Sequence, residues 1–345
     1  MTSRNVLRLG LGATVLIAGS LAFYAVTSAP PAVGNWTQAG QAPVACFEAM
    51  STVVDGRLYR FGGFDRELKA TVGSSCFDPQ TEAWSAIADL PTPVTHVNAA
   101  IDGNSLWIAG GFVGDDPGTS TDAVWKFDLE GDTWETGPPL PVVRAGGGLV
   151  RLGRKLHYFG GFGADRDEVH GDHFTLDLDG GATWTKLAPL PVARGHVGGA
   201  VVGGRIFAIG GQLRHDTDPL DLDLVHAYDI EANRWEACAT LPTARSHCEQ
   251  STFVLGDRIV VMGGRDTARQ RGRFMRSRNP FAPLDAVTVY RTAEDAWTEG
   301  PRLPVGLLGP SAHVLGDRVL LIGGSVDGPW KPQTAQYSLG LDELP

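Results

Sequence analysis

Six times along the chain an apolar run ends in a pair of glycines: RLYRFGGF at Gly62, LWIAGGF at Gly110, LHYFGGF at Gly160, IFAIGGQ at Gly210, IVVMGGR at Gly263 and VLLIGGS at Gly323. The intervals are 48, 50, 50, 53 and 60 residues. A second series keeps step with the first: Trp36, Trp84, Trp134, Trp184, Trp235 and Trp297. Five of these are followed by a Leu-Pro, at Leu90-Pro91, Leu140-Pro141, Leu190-Pro191, Leu241-Pro242 and Leu303-Pro304. Self-similarity on this scale means that one supersecondary unit is repeated.

Within a unit the chain reads as four strands, for example GHVGGAVVGG, RIFAIGG, LVHAYDI and NRWEACATLP, each bounded by Gly, Asp, Asn or Pro. No run has helical period. The 45 glycines and 22 prolines suit many turns between short strands. Glycine pairs let the backbone leave the second strand with φ > 0, and a large indole fills the wedge between neighbouring sheets. One such sheet cannot bury both faces alone, so the units stack into a closed ring.

The glycine pair, an aromatic-Asp in strand three (Phe77-Asp78, Phe127-Asp128, Tyr228-Asp229) and the later Trp together resemble the kelch repeat over roughly residues 34–340. Unit three has Leu176 in place of the aromatic, and units five and six lose the Asp, with Tyr290-Arg291 and Tyr337-Ser338. The resemblance implies an all-β, six-bladed kelch β-propeller spanning residues 30–345. Its blades fall near 44–90, 91–140, 141–190, 191–241, 242–303 and 304–345. The chain ends after a strand-three pattern, so the segment 34–42 around Trp36 is expected to complete blade six and close the ring.

The opening stretch MTSRNVLRLGLGATVLIAGSLAFYAVTSAPP has Arg4 and Arg8, then an uncharged apolar run from Leu9 to Val26. Residues 1–29 read as an export signal or a membrane anchor, and both readings stand: Thr27 and Ala29 suit a cleavage site, Pro30 does not, and the run is long enough to span a bilayer. In either case the remainder is expected in the periplasm or outside the cell, touching a membrane only through that segment if it is uncleaved. A net charge of -10 argues against a nucleic-acid partner. The stretch RDTARQRGRFMRSRNPF is a local exception, with Arg265, Arg269, Arg271, Arg273, Arg276 and Arg278 against Asp266.

Strands in a propeller blade alternate direction, so the loop entering strand one and the loop joining strands two and three open on one face. Counted from the proline before each first strand, position plus three is Cys46, Val94, Arg144, Arg194, Arg245 and Leu307, and position plus five is Glu48, His96, Gly146, His196, His247 and Gly309. The arginines have two readings, as donors to neighbouring loop carbonyls or as ligand contacts. Arg144, Arg194 and Arg245 with Glu48, His96, His196 and His247 form a candidate pocket for an anionic ligand or for proton transfer near neutral pH.

The strand-two-to-three loops add acids in blade three (Asp165, Asp167, Glu168, Asp172) and blade four (Asp216, Asp218, Asp221, Asp223), beside the basic loop of blade five. That loop, through Arg265, Arg269 and Arg271, is expected either to close over an anion, or to be clamped by the adjoining acids, or to be a flexible insertion. No cofactor is expected, with a divalent metal at His170, Asp172, His173 and His215 as the alternative, although their spacing matches neither the EF-hand loop nor HExxH. Cys46, Cys76, Cys238 and Cys248 fall on strands too far apart to bridge and read as free thiols.

Kelch propellers include galactose oxidase, the iron-dependent plant specifier proteins, a periplasmic sialic acid mutarotase and many peptide-binding adaptors. No tyrosine lies on the loop face, against a copper-radical site. Glu168 and Asp172 match two positions of the specifier iron motif, but Leu176 stands at the third. The expected function is therefore binding of an acidic sugar or glycan, a peptide carboxylate or a partner protein. A sugar mutarotase or epimerase is the alternative, and stapling of an envelope complex is a third class.

Overall fold

Each apolar run that ends in a glycine pair is the second strand of a four-stranded antiparallel sheet. The computed structural model describes residues 33–267 and 283–345; the expected export segment 1–29 and Arg269, Arg271, Arg273, Arg276 and Arg278 lie outside the described residues. In chain order the first sheet is Met50–Val54, Arg57–Phe61, Ser74–Asp78 and Ala83–Ile87, and the second is Ala99–Asp102, Ser105–Ala109, Val124–Asp128 and Thr133–Thr136. The third is Gly148–Leu152, Lys155–Phe159, His173–Asp177 and Thr185–Leu187, and the fourth is Gly198–Val202, Arg205–Ile209, Val225–Asp229 and Arg234–Ala237. The fifth is Thr252–Leu255, Arg258–Met262, Val287–Arg291 and Ala296–Glu299. The sixth takes Ser311–Leu315, Arg318–Ile322 and Ala335–Gly340 from the end of the described chain, and Thr37–Gln41 from its start pairs onto Ala335–Gly340 as the outer strand.

The first strands of successive sheets touch one another in a circuit that returns from the sixth to the first. Apolar side chains lie between sheets rather than within one. Leu149, Leu156, Tyr158 and Leu176 of the third sheet pack with Ala109 and Val124 of the second and with Leu140 in the segment that follows it, all buried; each such large aliphatic or aromatic residue contributes about 1.5–3 kcal/mol of burial.

The tryptophans fill the wedges as their spacing predicts, and they also staple blades. The indole N–H groups of Trp134, Trp184, Trp235 and Trp297 donate to the carbonyls of Ala88, Pro138, Ala188 and Ala239 in the preceding unit, at 2.8–3.3 Å. Trp36 does the same to Arg302 at 3.0 Å. All four cysteines are free. Among the described residues the only helical turns are the 3-10 segments Glu249–Ser251 and Leu341–Glu343. The first of these places part of the site.

Candidate functional site

The same backbone device builds the inner mouth of the ring six times. The residue four beyond each blade-opening proline pairs with the residue that follows the glycine pair: Phe47 with Phe64, Thr95 with Phe112, Ala145 with Phe162, Gly195 with Gln212, Ser246 with Arg265, and Leu308 with Ser325. The next residue then turns back in the left-handed region in every blade, with φ of 54° at Glu48, 57° at His96, 65° at Gly146, 50° at His196, 56° at His247 and 55° at Gly309. Glycine takes this conformation freely. A side chain there costs roughly 1–2 kcal/mol, and such strain gathers at functional sites. The turn aims Glu48, His96, His196 and His247 at the pocket they line together with Glu249 and Gln250.

That pocket is tight, about 20 Å³, room for one water-sized group. Glu249 and Gln250 enter it from the 3-10 turn Glu249–Ser251. Gln250 crosses to the other blades, donating to Val97 O at 2.8 Å and Asn98 Oδ1 at 3.0 Å and accepting from the Ser51 N–H at 3.1 Å. Beyond it lies a wider cavity of about 410 Å³ lined by Ser51, Asn98, Val150, Arg151 and His313.

Three of the imidazoles are held at Nδ1 by a neighbouring oxygen. His196 Nδ1 lies 2.6 Å from Glu249 Oε1 and His215 Nδ1 lies 2.9 Å from Gln212 Oε1. An oxygen that only accepts fixes the proton on Nδ1 and leaves Nε2 with its lone pair. For His247 the partner is Ser246 Oγ at 2.6 Å, whose own proton goes to Asp221 Oδ1, so Nδ1 again donates. His247 stacks on His196 with ring centroids 3.8 Å apart, and His96 and His215 lie 4.9 and 5.0 Å from His196. The Glu48 carboxyl sits between two rings, Oε2 3.3 Å from His96 Nε2 and Oε1 3.4 Å from His247 Nε2.

Burial dominates the electrostatics. It pushes the Glu48 carboxyl up to about 7. Burial first, and the facing His196 second, hold His96, His215 and His247 well below the usual imidazole range. Near neutral pH neutral imidazoles at His96, His215 and His247 thus stand with a carboxyl poised to give or take a proton.

The arginines of position plus three are placed elsewhere. Arg194, fully buried, donates Nε to Gly210 O at 2.7 Å and its two terminal nitrogens to Val192 O at 2.9 Å and Ala208 O at 3.2 Å. Arg245, equally buried, donates to Val261 O and Ala286 O, and Arg144 pairs with Asp172 and Val143 O. None of the three lines the pocket. The reason is the backbone: the left-handed turn comes two residues later, so plus three points back beneath strand two while plus five points inward. Blade one confirms that a guanidinium is wanted there. With Cys46 at plus three, Arg60 reaches over from strand two to Val44 O and Cys46 O at 2.9 and 3.3 Å.

The four residues considered for a metal do not converge. Asp172 is engaged by Arg144 and Lys186, His173 is buried against His157 at 3.0 Å, and His170 stands beside Glu168. Only His215 reaches the pocket's neighbourhood, where His96, His196 and His215 bring one ring nitrogen each within 4.8 Å of one another. Arg265 is clamped as the charge pattern allowed, its Nε 3.3 Å from Asp221 Oδ2 in a pair that is buried rather than exposed.

Sequence reasoning missed Arg166, Glu249 and Gln250. Arg166 lies 4.1 Å over the Phe112 ring and pairs with Asp216 and Asp116. Its signal was the aromatic after the glycine pair, Phe64, Phe112 or Phe162, which gives a cation a face to stack on.

A family model described as "KLHDC2/KLHL20/DRC7 Kelch-repeats domain" matches residues 23–186 and 135–324. The kelch-like protein terF of Aspergillus terreus is 28% identical over 244 residues, 67% of this chain and 52% of that protein. Human kelch-like protein 15 is 23% identical over 278 residues, 74% of this chain and 43% of its own, and β-scruin of Limulus polyphemus is 22% identical over 220 residues, 61% of this chain and 24% of its own. The chain thus spans about half or less of the curated relatives it matches. A solved structure of YjhT superimposes with a TM-score of 0.71 at 16% identity, covering 86% of this chain and 95% of that one.

Proposed function

The chain belongs to the kelch-repeat family, and on that premise we propose that it is a binding propeller whose ligand docks at the axial mouth over Glu48, His96, His196 and His247. The ligand is anionic, an acidic sugar or a peptide carboxylate. The observation that carries this reading is a pair of buried polar atoms with no hydrogen-bond partner among the described residues: His196 Nε2 and Arg166 Nη1. Leaving such groups dry costs about 1–3 kcal/mol each, more where they are charged. A ligand carboxylate would accept from Arg166 Nη1, and a ligand hydroxyl would donate to His196 Nε2. Since the pocket admits one small group, the body of the ligand rests at the mouth.

The sequence of the blade-five loop supports an anion. The Thr267 N–H donates to Asp221 at 2.9 Å, and Pro283 pairs with Arg265. Between those anchors the sequence holds five arginines and no acid. Export through residues 1–29 belongs to the same proposal, and fractionation of the tagged protein tests it: recovery in the cytosol would overturn it.

Thermal-shift and calorimetric titrations with N-acetylneuraminate, galacturonate, galactose and a peptide with a free carboxyl terminus test the ligand class. Acidic probes are expected to raise the midpoint and neutral galactose is not. Binding of the neutral sugar alone would overturn the reading. One observation favours a second reading, a sugar mutarotase or epimerase: Glu48, raised to about 7, faces two neutral imidazoles across 3.3 and 3.4 Å, an arrangement suited to proton transfer. NMR exchange between anomers of any sugar that binds separates the two.

A further inference from the structure

We infer that the axial cluster is a site for a divalent first-row transition metal, held by ring nitrogens of His96, His196 and His215 with Glu48 as a carboxylate ligand beside them. The inference rests on the reading that this pocket is the binding site, but not on the anion being its ligand.

Three observations converge on it. First, one nitrogen from each ring already lies within 4.8 Å of the other two. An ion bound at about 2.0–2.1 Å from each holds tetrahedral ligands roughly 3.3 Å apart, so small ring rotations complete the set. The left-handed backbone at His96 and His196 fixes where those rings begin.

Second, the hydrogen bonding behind the rings is that of metal ligands. A ligating histidine donates its other N–H to a carboxylate or carbonyl, which sets the tautomer and raises the basicity of the ligating nitrogen. His196 does this to Glu249 Oε1 at 2.6 Å and His215 to Gln212 Oε1 at 2.9 Å. Gln212 is itself tied down, its Nε2 donating to Asp221 Oδ1 at 2.8 Å and to Ser246 Oγ at 3.2 Å. These partners belong to blades four and five and the 3-10 turn, so three separate elements brace the rings.

Third, the nitrogen left open on His196 is buried, the residue 2% exposed, and has no partner among the described residues. The adjoining pocket has room for one water-sized group and no more. That fits an ion carrying one exchangeable ligand better than it fits a sugar ring. Imidazole with a single carboxylate favours zinc, iron, cobalt or nickel over calcium or magnesium, which take oxygen ligands. The nearby cations are balanced: Arg166 by Asp216 and Asp116, Arg265 by Asp221. The open coordination position then receives a carboxylate or hydroxyl from the mouth.

Co2+ serves as the probe. The purified chain is stripped with chelator, freed of it, and titrated with Co2+ while visible absorption and bound cobalt are measured. One ion per chain is expected, with the intense bands of a low-coordinate site. Replacing His196 or His215 by Ala is expected to weaken binding more than 100-fold, and Glu249→Gln, a positioning change, by about 10–100-fold. His170→Ala and His226→Ala are expected to change nothing. Should the axial variants fail to fold, paramagnetic broadening of the His96, His196 and His215 ring signals in the parent protein decides instead. No saturable Co2+, or binding unchanged in folded His196→Ala and His215→Ala, overturns the inference. Titrating N-acetylneuraminate in excess chelator tests the ligand reading separately, so either result can fail without the other.

Discussion

Arg194→Met separates an arginine that holds the blade from one that holds a ligand. The substitution keeps the aliphatic stem and its packing but removes the guanidinium that donates to Gly210, Val192 and Ala208. Burial lowers the Arg194 pKa only to about 10, so these are charged donors at neutral pH. Hydrogen bonds to charged groups contribute about 1.5–3 kcal/mol each but do not add fully, and removing one side of a buried charged network destabilises by about 3–5 kcal/mol. An unfolding entropy of about 2.1 cal/mol/K per residue over roughly 310 residues converts about 4 kcal/mol into a midpoint about 6 °C lower. Differential scanning calorimetry reads the midpoint, and titration of the folded variant with N-acetylneuraminate reads the site. A lower midpoint with affinity within twofold of the parent is expected. A midpoint within about 1 °C of the parent, combined with a tenfold loss of affinity, would refute the structural assignment of Arg194.

Acid should destabilise the third blade through His157 and His173, which burial holds neutral with pKa values lowered to about 4 and about 3. The unfolded chain takes up both protons below about pH 6.5, so stability is lost as pH falls through that value, by up to about 4 kcal/mol at pH 5 from this pair alone; His157→Leu should reduce the loss of stability between pH 7 and pH 5 by about 2 kcal/mol, the other buried histidines keeping their share, and an unchanged loss would contradict this. Gly110→Ala drives a Cβ into Arg144 O at φ +68°, whereas Gly203→Ala at φ +57° meets nothing within 4 Å. Denaturant unfolding is expected to find the first costing about 2–4 kcal/mol and the second about 1 kcal/mol, and equal costs would mean that the blade-linking bridge does not constrain the glycine pair. Asp221→Asn weakens the anchor shared by Arg265, Ser246, Gln212 and Thr267; it should cost about 3–5 kcal/mol and also weaken ligand binding through His247, so a variant silent in both calorimetry and titration would contradict the network.

The sheets were legible because the repeat is written in residues whose roles are backbone roles. A glycine pair at positive φ and a tryptophan that staples two blades admit few substitutes, and Gly62 to Gly323 mark them through the chain. Counting from the prolines also found Glu48, His96, His196 and His247, since six copies of one turn repeat one register. The chemistry of position plus three was not legible. Arg144, Arg194 and Arg245 differ from the histidines by only two residues, and which of the two points inward depends on a left-handed φ that glycine betrays only at Gly146 and Gly309. His215 was grouped with the wrong partners because its loop returns over the axis through the short pairing of Gln212–Leu213 with Leu220–Asp221, a long-range consequence. Glu249 and Gln250 were hidden because a 3-10 turn before strand one occurs in blade five and in no other described blade.

Ligand is expected to meet the axial imidazoles and not the buried arginines. Titrating the purified protein with N-acetylneuraminate while recording assigned histidine ring signals by NMR addresses this directly. His196, His247 and His96 are expected to shift together, with His157, His173 and His313 unmoved. Binding that leaves those three unchanged while shifting His226, whose Nδ1 lies 3.3 Å from Arg194, would contradict the claim.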